Sequence, residues 1–428
     1  MSEVLEGYKM TELGEIPTDW NVVRIGDICT VKSSKRVHQK DYVESGVPFY
    51  RSKEIKELSS NKQIKTELFI SEKQFRDISE KFGVPSKGDV LITSVGTIGD
   101  TWIVDGRDFY YKDGNITQIN HSENLKPEFI KYLFASEILK KQYLNQSSGS
   151  AQMALTIEKI NKLKITYPPI KEQQKIAEIL SIVDKQIEQT EQLIDKTKEL
   201  KKGLMQQLLT KGIGHSEFQE SQFGQIPRKW SIIKLGEKCK VKSSKRVHMS
   251  DYVEEGVPFY RSKEIKQLSK REKINTELYI SRELFNKFKN KFGVPEKGDI
   301  LITSVGTIGD IWVSDGRELY YKDGNLTQID KNESLLSEFI KILFESEIVK
   351  KQYLNQSSGS AQMALTIEKI NKLKVVLPPI EEQQKIVDIL STVDAEIESY
   401  EQEKAKYEEL KKGLMQQLLT GKIRVIVD

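Results

Sequence analysis

Between Ile170 and Thr210 the chain holds no proline, and one set of positions advances by alternating steps of four and three: Ile176, Leu180, Val183, Ile187, Thr190, Ile194, Thr197, Lys201, Leu204 and Leu208. Apart from two threonines and one lysine these are apolar, and a heptad seam sustained over about 30 residues predicts a coiled-coil helix. Gly212 and Gly214 supply its stop. The same pattern returns from Ile380 to Thr420 with Ile386, Leu390, Val393, Ile397, Tyr400, Tyr407, Leu414 and Leu418. Ahead of each helix the pattern is different. Asp89–Gly96 and Thr101–Gly106 are apolar, β-branched and end in glycine, which predicts strands. Tyr110–Ile119 places Asp113-Gly114 between two such runs and predicts a β-hairpin. Lys126–Leu144 spaces Phe129, Leu133, Phe134 and Ile138 as a helix does. The fold class is therefore α+β, with mixed α/β heads followed by long helices.

Self-similarity organises the whole chain. "VKSSKRVH" occurs at Val31–His38 and Val241–His248, "LITSVGTIGD" at Leu91–Asp100 and Leu301–Asp310, and a 25-residue segment at Lys140–Lys164 and Lys350–Lys374. The offset is always 210, and 131 of the 190 positions in 21–210 match those in 231–420. Solenoid and propeller repeats run to roughly 20–50 residues, so this is a duplicated domain pair. The boundaries read as a first head at 1–166, a spacer helix at 167–213, a second head at 214–376, and a second spacer helix with the tail at 377–428. Forty helical residues extend roughly 60 Å, too long to leave an apolar seam unpartnered. The second copy is the natural partner, which predicts two antiparallel coiled-coil helices and a pseudo-two-fold like that of a homodimer. Gly203 and Gly413 interrupt these helices. Each marks either a close helix crossing that excludes a side chain or a tolerated weak spot near the helix end.

Composition adds exclusions. No run approaches about 18 apolar residues, so no membrane span is expected. Met1–Met10 carries Glu3 and Glu6 without an apolar core, unlike a secretory signal. Cys29 and Cys239 are too few for a disulfide framework, and both read as buried small apolar residues. The chain reads as cytoplasmic, without membrane contact. Net charge is only +4, but 31–66 holds nine Lys/Arg against four Asp/Glu, and 241–276 nine against five. These basic islands point to an anionic partner.

The motifs "GEIPTDW" (Gly14–Trp20), "GQIPRKW" (Gly224–Trp230), "YPPIKEQQKI" (Tyr167–Ile176), "LPPIEEQQKI" (Leu377–Ile386) and the twice-used "KKGLMQQLLT" carry a resemblance. In that order they resemble the DNA-specificity subunit of type I restriction–modification enzymes, over nearly the whole chain. The resemblance implies a non-catalytic subunit with two target recognition domains, each reading one half of a split site in double-stranded DNA. It implies helices that set the half-site spacing and dock two DNA adenine methyltransferase subunits, with restriction/translocase subunits joining them. S-adenosylmethionine and ATP then belong to those partners, and this chain carries no cofactor. The heads of this family usually differ. Here they nearly coincide, so the expected target is an inverted repeat with an unspecified spacer, its half-sites near one helical turn apart.

The best candidates for DNA contact are Ser33, Ser34, Lys35, Arg36 and His38, then Tyr50, Arg51 and Lys53, with Ser243, Ser244, Lys245, Arg246, His248, Tyr260, Arg261 and Lys263 as their copies. Arg and Lys can fork onto guanine, while Ser, His and Tyr can meet bases or phosphate. The plainer alternative is a solvated basic face. Gly149 and Gln152, with Gly359 and Gln362, form a second set: glycine permits close backbone approach and glutamine matches an adenine edge. Ser94–Asp100 reads more readily as a turn, and Tyr110 and Tyr111 as core. Residues 71–80 and 281–290 share only a serine and a phenylalanine, as a tolerant exposed helix would. No P-loop or G-x-G-x-x-G is present, and "YPPI" and "LPPI" read as helix entries. One enzyme alternative is a metal-dependent nuclease using Glu54-Ile55-Lys56 and Glu264-Ile265-Lys266 with Asp41 and Asp251. The other alternative is a coiled-coil scaffold that does not bind DNA. No metal site is expected.

Overall fold

The computed structural model describes residues 5–145, 154–355 and 364–427. The chain divides into two compact units, Met1–Glu191 with Gln402–Asp428, and Gln192–Glu401. Each unit therefore combines one head, the start of the long helix that follows it, and the end of the other long helix. Those helices are Ile170–Leu208 and Ile380–Leu418. None of the predicted seam positions is exposed: Ile176, Leu180, Ile386 and Leu390 are fully buried, and Thr190 and Thr197 are buried with them.

The helices pair antiparallel within each unit. In the first unit Glu191 meets Lys404 at 3.2 Å and Asp184 meets Lys411 at 2.6 Å, so seven residues back on one helix match seven forward on the other. In the second unit Lys201 meets Asp394 at 2.7 Å, the reciprocal of the Asp184–Lys411 pair. The end of each helix also completes a head core. Met415, Leu418 and Leu419 pack with Trp20 and Phe129, while Met205, Leu208 and Leu209 pack with Trp230 and Phe339.

Each head contains the same sheets. In the first unit Tyr8–Thr11 and Gly14–Pro17 form a hairpin, and Asn21–Arg24 pairs with Lys164–Tyr167, the strand that leads into the long helix. One four-stranded sheet has the order Val31–Lys32, Ile116–Ile119, Val90–Thr93, Thr101–Ile103. The other has the order Tyr110–Tyr111, Val47–Tyr50, Phe69–Ile70, Tyr42–Val43, with Tyr110–Tyr111 running parallel to Phe49–Tyr50. The predicted hairpin over Tyr110–Ile119 is thus corrected: its two strands belong to different sheets. Gly114, at φ +71°, supplies the expected turn. However, Tyr110 and Tyr111 are both buried and enter separate clusters, one with Phe49 and one with Tyr50 and Trp102. Tyr110–Tyr111 is instead the edge strand beside Val47–Tyr50, where both rings are packed into core clusters. The helix expected over Lys126–Leu144 is two helices, Pro127–Ala135 and Glu137–Asn145. Ser136 is extended between them, with its Oγ donating to the Leu133 carbonyl at 2.6 Å.

Both cysteines lie in the head cores as expected, and burial raises each thiol to about 11. Among the described residues no helix is long and apolar enough to cross a membrane. The close-crossing account of Gly203 and Gly413 does not hold. Both are exposed, and a Cβ built on either meets no atom within 4 Å. These positions carry only the backbone cost of glycine in a helix. Gly203→Ala and Gly413→Ala should each stabilise the protein by about 1 kcal/mol in urea unfolding, and a loss of stability in either would restore the crossing account.

Candidate nucleic-acid interface

The basic loop after Val31–Lys32 owes its shape to one apolar residue and one aromatic hydroxyl. Val37 is buried, while its neighbours Lys35, Arg36 and His38 are exposed, so the chain is pinned at one point with cations on either side. Tyr110 is in the core, and its hydroxyl accepts the Lys35 backbone N–H at 2.6 Å. The second head repeats this with Val247, and with Tyr320 accepting from Lys245 at 2.9 Å. Arg36 donates its Nε to Asp113 at 2.7 Å and Arg246 to Asp323 at 2.9 Å, which fixes the direction of two guanidiniums whose side chains are 69% exposed. The His38 backbone N–H donates to Asp41 at 3.0 Å, closing the short turn Gln39–Asp41. Ser33 accepts from Gly114 N–H at 3.4 Å, and Ser244 donates to the Tyr321 carbonyl at 2.6 Å. The serines thus tie the loop to the Asp113-Gly114 turn and its copy.

The second predicted segment behaves differently. Tyr50 and Tyr260 are corrected: each is only 2% exposed, and Tyr50 stacks on Phe109 at 4.8 Å. A strand with three of four residues buried points this tyrosine into the core, where no ligand reaches it. Arg51 opens the helix Ser52–Ser59. Its guanidinium donates to Glu54 at 2.7 Å and to Glu67 at 2.8 Å, and Lys53 reaches Glu67 at 3.2 Å. Arg261, Lys263, Glu264 and Glu277 repeat the network. Arg51 and Lys53 are thus committed to internal carboxylates. Glu67 is held below the ordinary carboxylate range chiefly by Arg51, and Glu277 is drawn down to about 2 by Lys263 and then Arg261.

The same network removes the nuclease reading. Glu54 is buried and taken up by the Arg51 side chain and backbone N–H, and Asp41 caps its own turn. Among the described residues no group of three or more His, Cys, Asp or Glu is placed to hold a metal. Ser94–Asp100 is a turn, with Gly96 and Gly99 at positive φ and Ser94 Oγ 2.7 Å from Thr117 Oγ1. Gly149, Gln152, Gly359 and Gln362 lie outside the described residues. Sequence reasoning assigned no role to Asp113 and Asp323. The Asp-Gly turn signal located them without showing that the carboxylate would orient an arginine 77 residues away.

Residues 17–199 and 227–409 each match the model of the type I restriction modification DNA specificity domain. The chain is 30% identical to the MjaX specificity subunit of Methanocaldococcus jannaschii, over 98% of this chain and 97% of that one. It is 28% identical to the type I restriction enzyme MjaVIII specificity subunit of the same organism, over 98% and 96%. The fold matches the S subunit of a type I restriction-modification system from M. genitalium with a TM-score of 0.54 at 16% identity, covering 94% of this chain and 96% of that one. A chain from a structure of type I R-M complex assembly matches with a TM-score of 0.57 at 20% identity, covering 95% and 99%.

Two outcomes follow from the geometry. Tyr50→Ala should cost about 3–5 kcal/mol of stability as a core aromatic, while Arg36→Ala should stay within about 0.5 kcal/mol; denaturant titration of both separates core from surface. The Glu277 carboxyl should titrate near 2 by NMR, and Lys263→Ala should raise that midpoint. Because the folded pKa is depressed, the stability this carboxylate contributes is present above its unfolded value and lost as pH falls toward about 2.

Proposed function

The chain belongs to the type I restriction–modification DNA specificity family, and from that premise we propose that each head reads one half of a bipartite, inverted-repeat site in duplex DNA. It is a sequence-recognition subunit and is not itself catalytic. Lys35, Arg36 and His38 in the first head, and Lys245, Arg246 and His248 in the second, are the base- and phosphate-contacting set. The observation that carries this is the loop itself, identical in sequence at Val31–His38 and Val241–His248 and held alike in both heads by a buried valine, a tyrosine hydroxyl and an Asp–Arg pair.

An exposed arginine whose direction is fixed by an aspartate loses less conformational freedom on forking onto guanine than an unrestrained one. Flanking lysines meet phosphate, which supplies affinity and register without sequence information. Arg51, Lys53 and their copies already pair with carboxylates of their own head and form a secondary group in this reading. Equal loops imply equal half-sites, and the long helices set the spacing between them. Two DNA adenine methyltransferase subunits and the restriction subunits complete the assembly in the cytoplasm. Methyl transfer from S-adenosylmethionine and ATP-driven steps reside on those partners.

Selection from random duplex DNA by the chain bound to its methyltransferase, followed by sequencing of the retained pool, tests this reading. The expected product is an inverted repeat with a fixed spacer. Two unrelated half-sites would sink the equivalence of the heads. No motif at any salt concentration, together with a flat salt dependence of binding, would replace DNA recognition with the scaffold.

A further inference from the structure

Among the stretches where the two heads diverge most, 71–80 against 281–290 belongs to a helix that lies against the basic loop. It is Glu72–Phe82 in the first head and Arg282–Phe292 in the second. The only two identities across 71–80 and 281–290 have structural reasons. Ser71 and Ser281 cap the helices by accepting N–H bonds from Gln74 and Leu284, each at 3.2 Å, and Phe75 and Phe285 face the core. The inner face supports the loop. In the second head the Phe288 ring lies 5.1 Å from Tyr320, whose hydroxyl holds the Lys245 N–H. In the first, Ile78 shares a cluster with Tyr110 and Val37, and Lys35 Nζ sits 5.3 Å over the Phe82 ring at the helix end.

The outer faces differ in charge. Glu72–Phe82 carries Lys73, Arg76 and Lys81 against Glu72, Asp77 and Glu80, a net of zero. Arg282–Phe292 carries Arg282, Lys287, Lys289 and Lys291 against Glu283, a net of +3. All of these charged residues are exposed. Arg282 pairs with Glu318, which leaves the positive sign of the helix dominant. Lys287 stands where the first head has Asp77, and Lys289 where it has Ser79.

We propose that the helix Arg282–Phe292 is an additional DNA-phosphate contact of the second head, made through Lys287 and Lys289 and absent from the first head. The two heads then read like half-sites with unlike strength, the second anchoring the complex and the first completing it. Phosphate contacts add affinity without altering base preference, so the selected half-sites stay alike. The inference rests on the reading that the heads bind duplex DNA.

The test is the salt dependence of binding by the full chain with its methyltransferase, on a duplex bearing the selected site, from about 50 to 200 mM salt. Each phosphate neutralised contributes about 0.9 to the slope of log K against log salt. K287D/K289S should therefore make the slope shallower by about one to two, and the reciprocal D77K/S79K should steepen it by a similar amount. Lys287, Lys289 and Asp77 are exposed and Ser79 is half-buried, and unchanged thermal melting confirms that the fold is intact. Unchanged slopes in both variants, with wild type still sequence-selective, overturn the proposal. A changed selected sequence at constant slope also overturns it, by assigning the helix to base readout. Wild type showing neither selectivity nor salt dependence removes the DNA reading itself, and this inference with it.

Discussion

Two adjacent side chains at the start of each long helix determine how a unit closes. Gln173 is fully buried: its carbonyl accepts the Lys126 N–H at 3.0 Å, and its amide donates to the Asn124 and Pro168 carbonyls. Gln383 does the same with Leu336, Ser334 and Pro378. This glutamine fixes the helix to its own head. The preceding glutamate binds the chain that follows the end of the other helix. Glu172 takes Arg424 at 2.6 and 3.0 Å, and Glu382 takes the Ile213 N–H at 2.9 Å and the Trp230 indole at 2.9 Å. Buried polar groups of this kind are costly unless fully paired, so the Glu-Gln pair ties head, near helix and far helix together. The antiparallel seam follows from where these two residues hold the helix ends.

The same economy governs the basic loop. Exposed cations are poor at ordering a chain, since surface ion pairs contribute about 0–1 kcal/mol. The loop is ordered by what lies beneath it, Val37 and the Tyr110 hydroxyl in the first head, Val247 and Tyr320 in the second. The cations above are thereby left at the surface. Arg51 shows the converse. Its fork is committed to Glu54 and Glu67, and its contribution is to the helix it opens.

Much of this was legible in the residues. Heptad steps located the long helices to within a residue or two, because a seam that must stay dry leaves a strong periodic trace. The 210-residue offset exposed the duplication, and the two family matches at 17–199 and 227–409 keep the same offset. Burial of Tyr50 was not legible, because a tyrosine beside an arginine and a lysine looks like a ligand-binding cluster until the sheet turns its ring inward. The hairpin failed for a related reason. Asp113-Gly114 encodes the turn, but which sheet each flank joins depends on Phe49 and Trp102, far away in sequence. Pairing of Arg36 with Asp113 was equally non-local.

Duplication makes the remaining differences between the halves informative, since equal sequences placed in unequal surroundings show what the surroundings demand. Glu172 and Glu382 are equivalent carboxylates with unlike partners. The first is met by an arginine from the C-terminal tail, which also forks onto Asp19 at 2.9 Å and lies over the Trp20 ring. The second is met by His215 at 2.8 Å, a few residues beyond the first long helix, and by Trp230 of the second head. The residues that follow the two long helices differ, so the copied carboxylate is satisfied by different neighbours. Glycine recurs where the chain turns after each long helix. Gly212 and Gly421 have φ of +64° and +71°, and a Cβ on either would approach within 2.7 Å of a side-chain atom. What stayed constant through duplication is the basic loop and the Glu-Gln clasp, while the helix beside that loop and the manner in which each far helix end is tied down are among the things that changed.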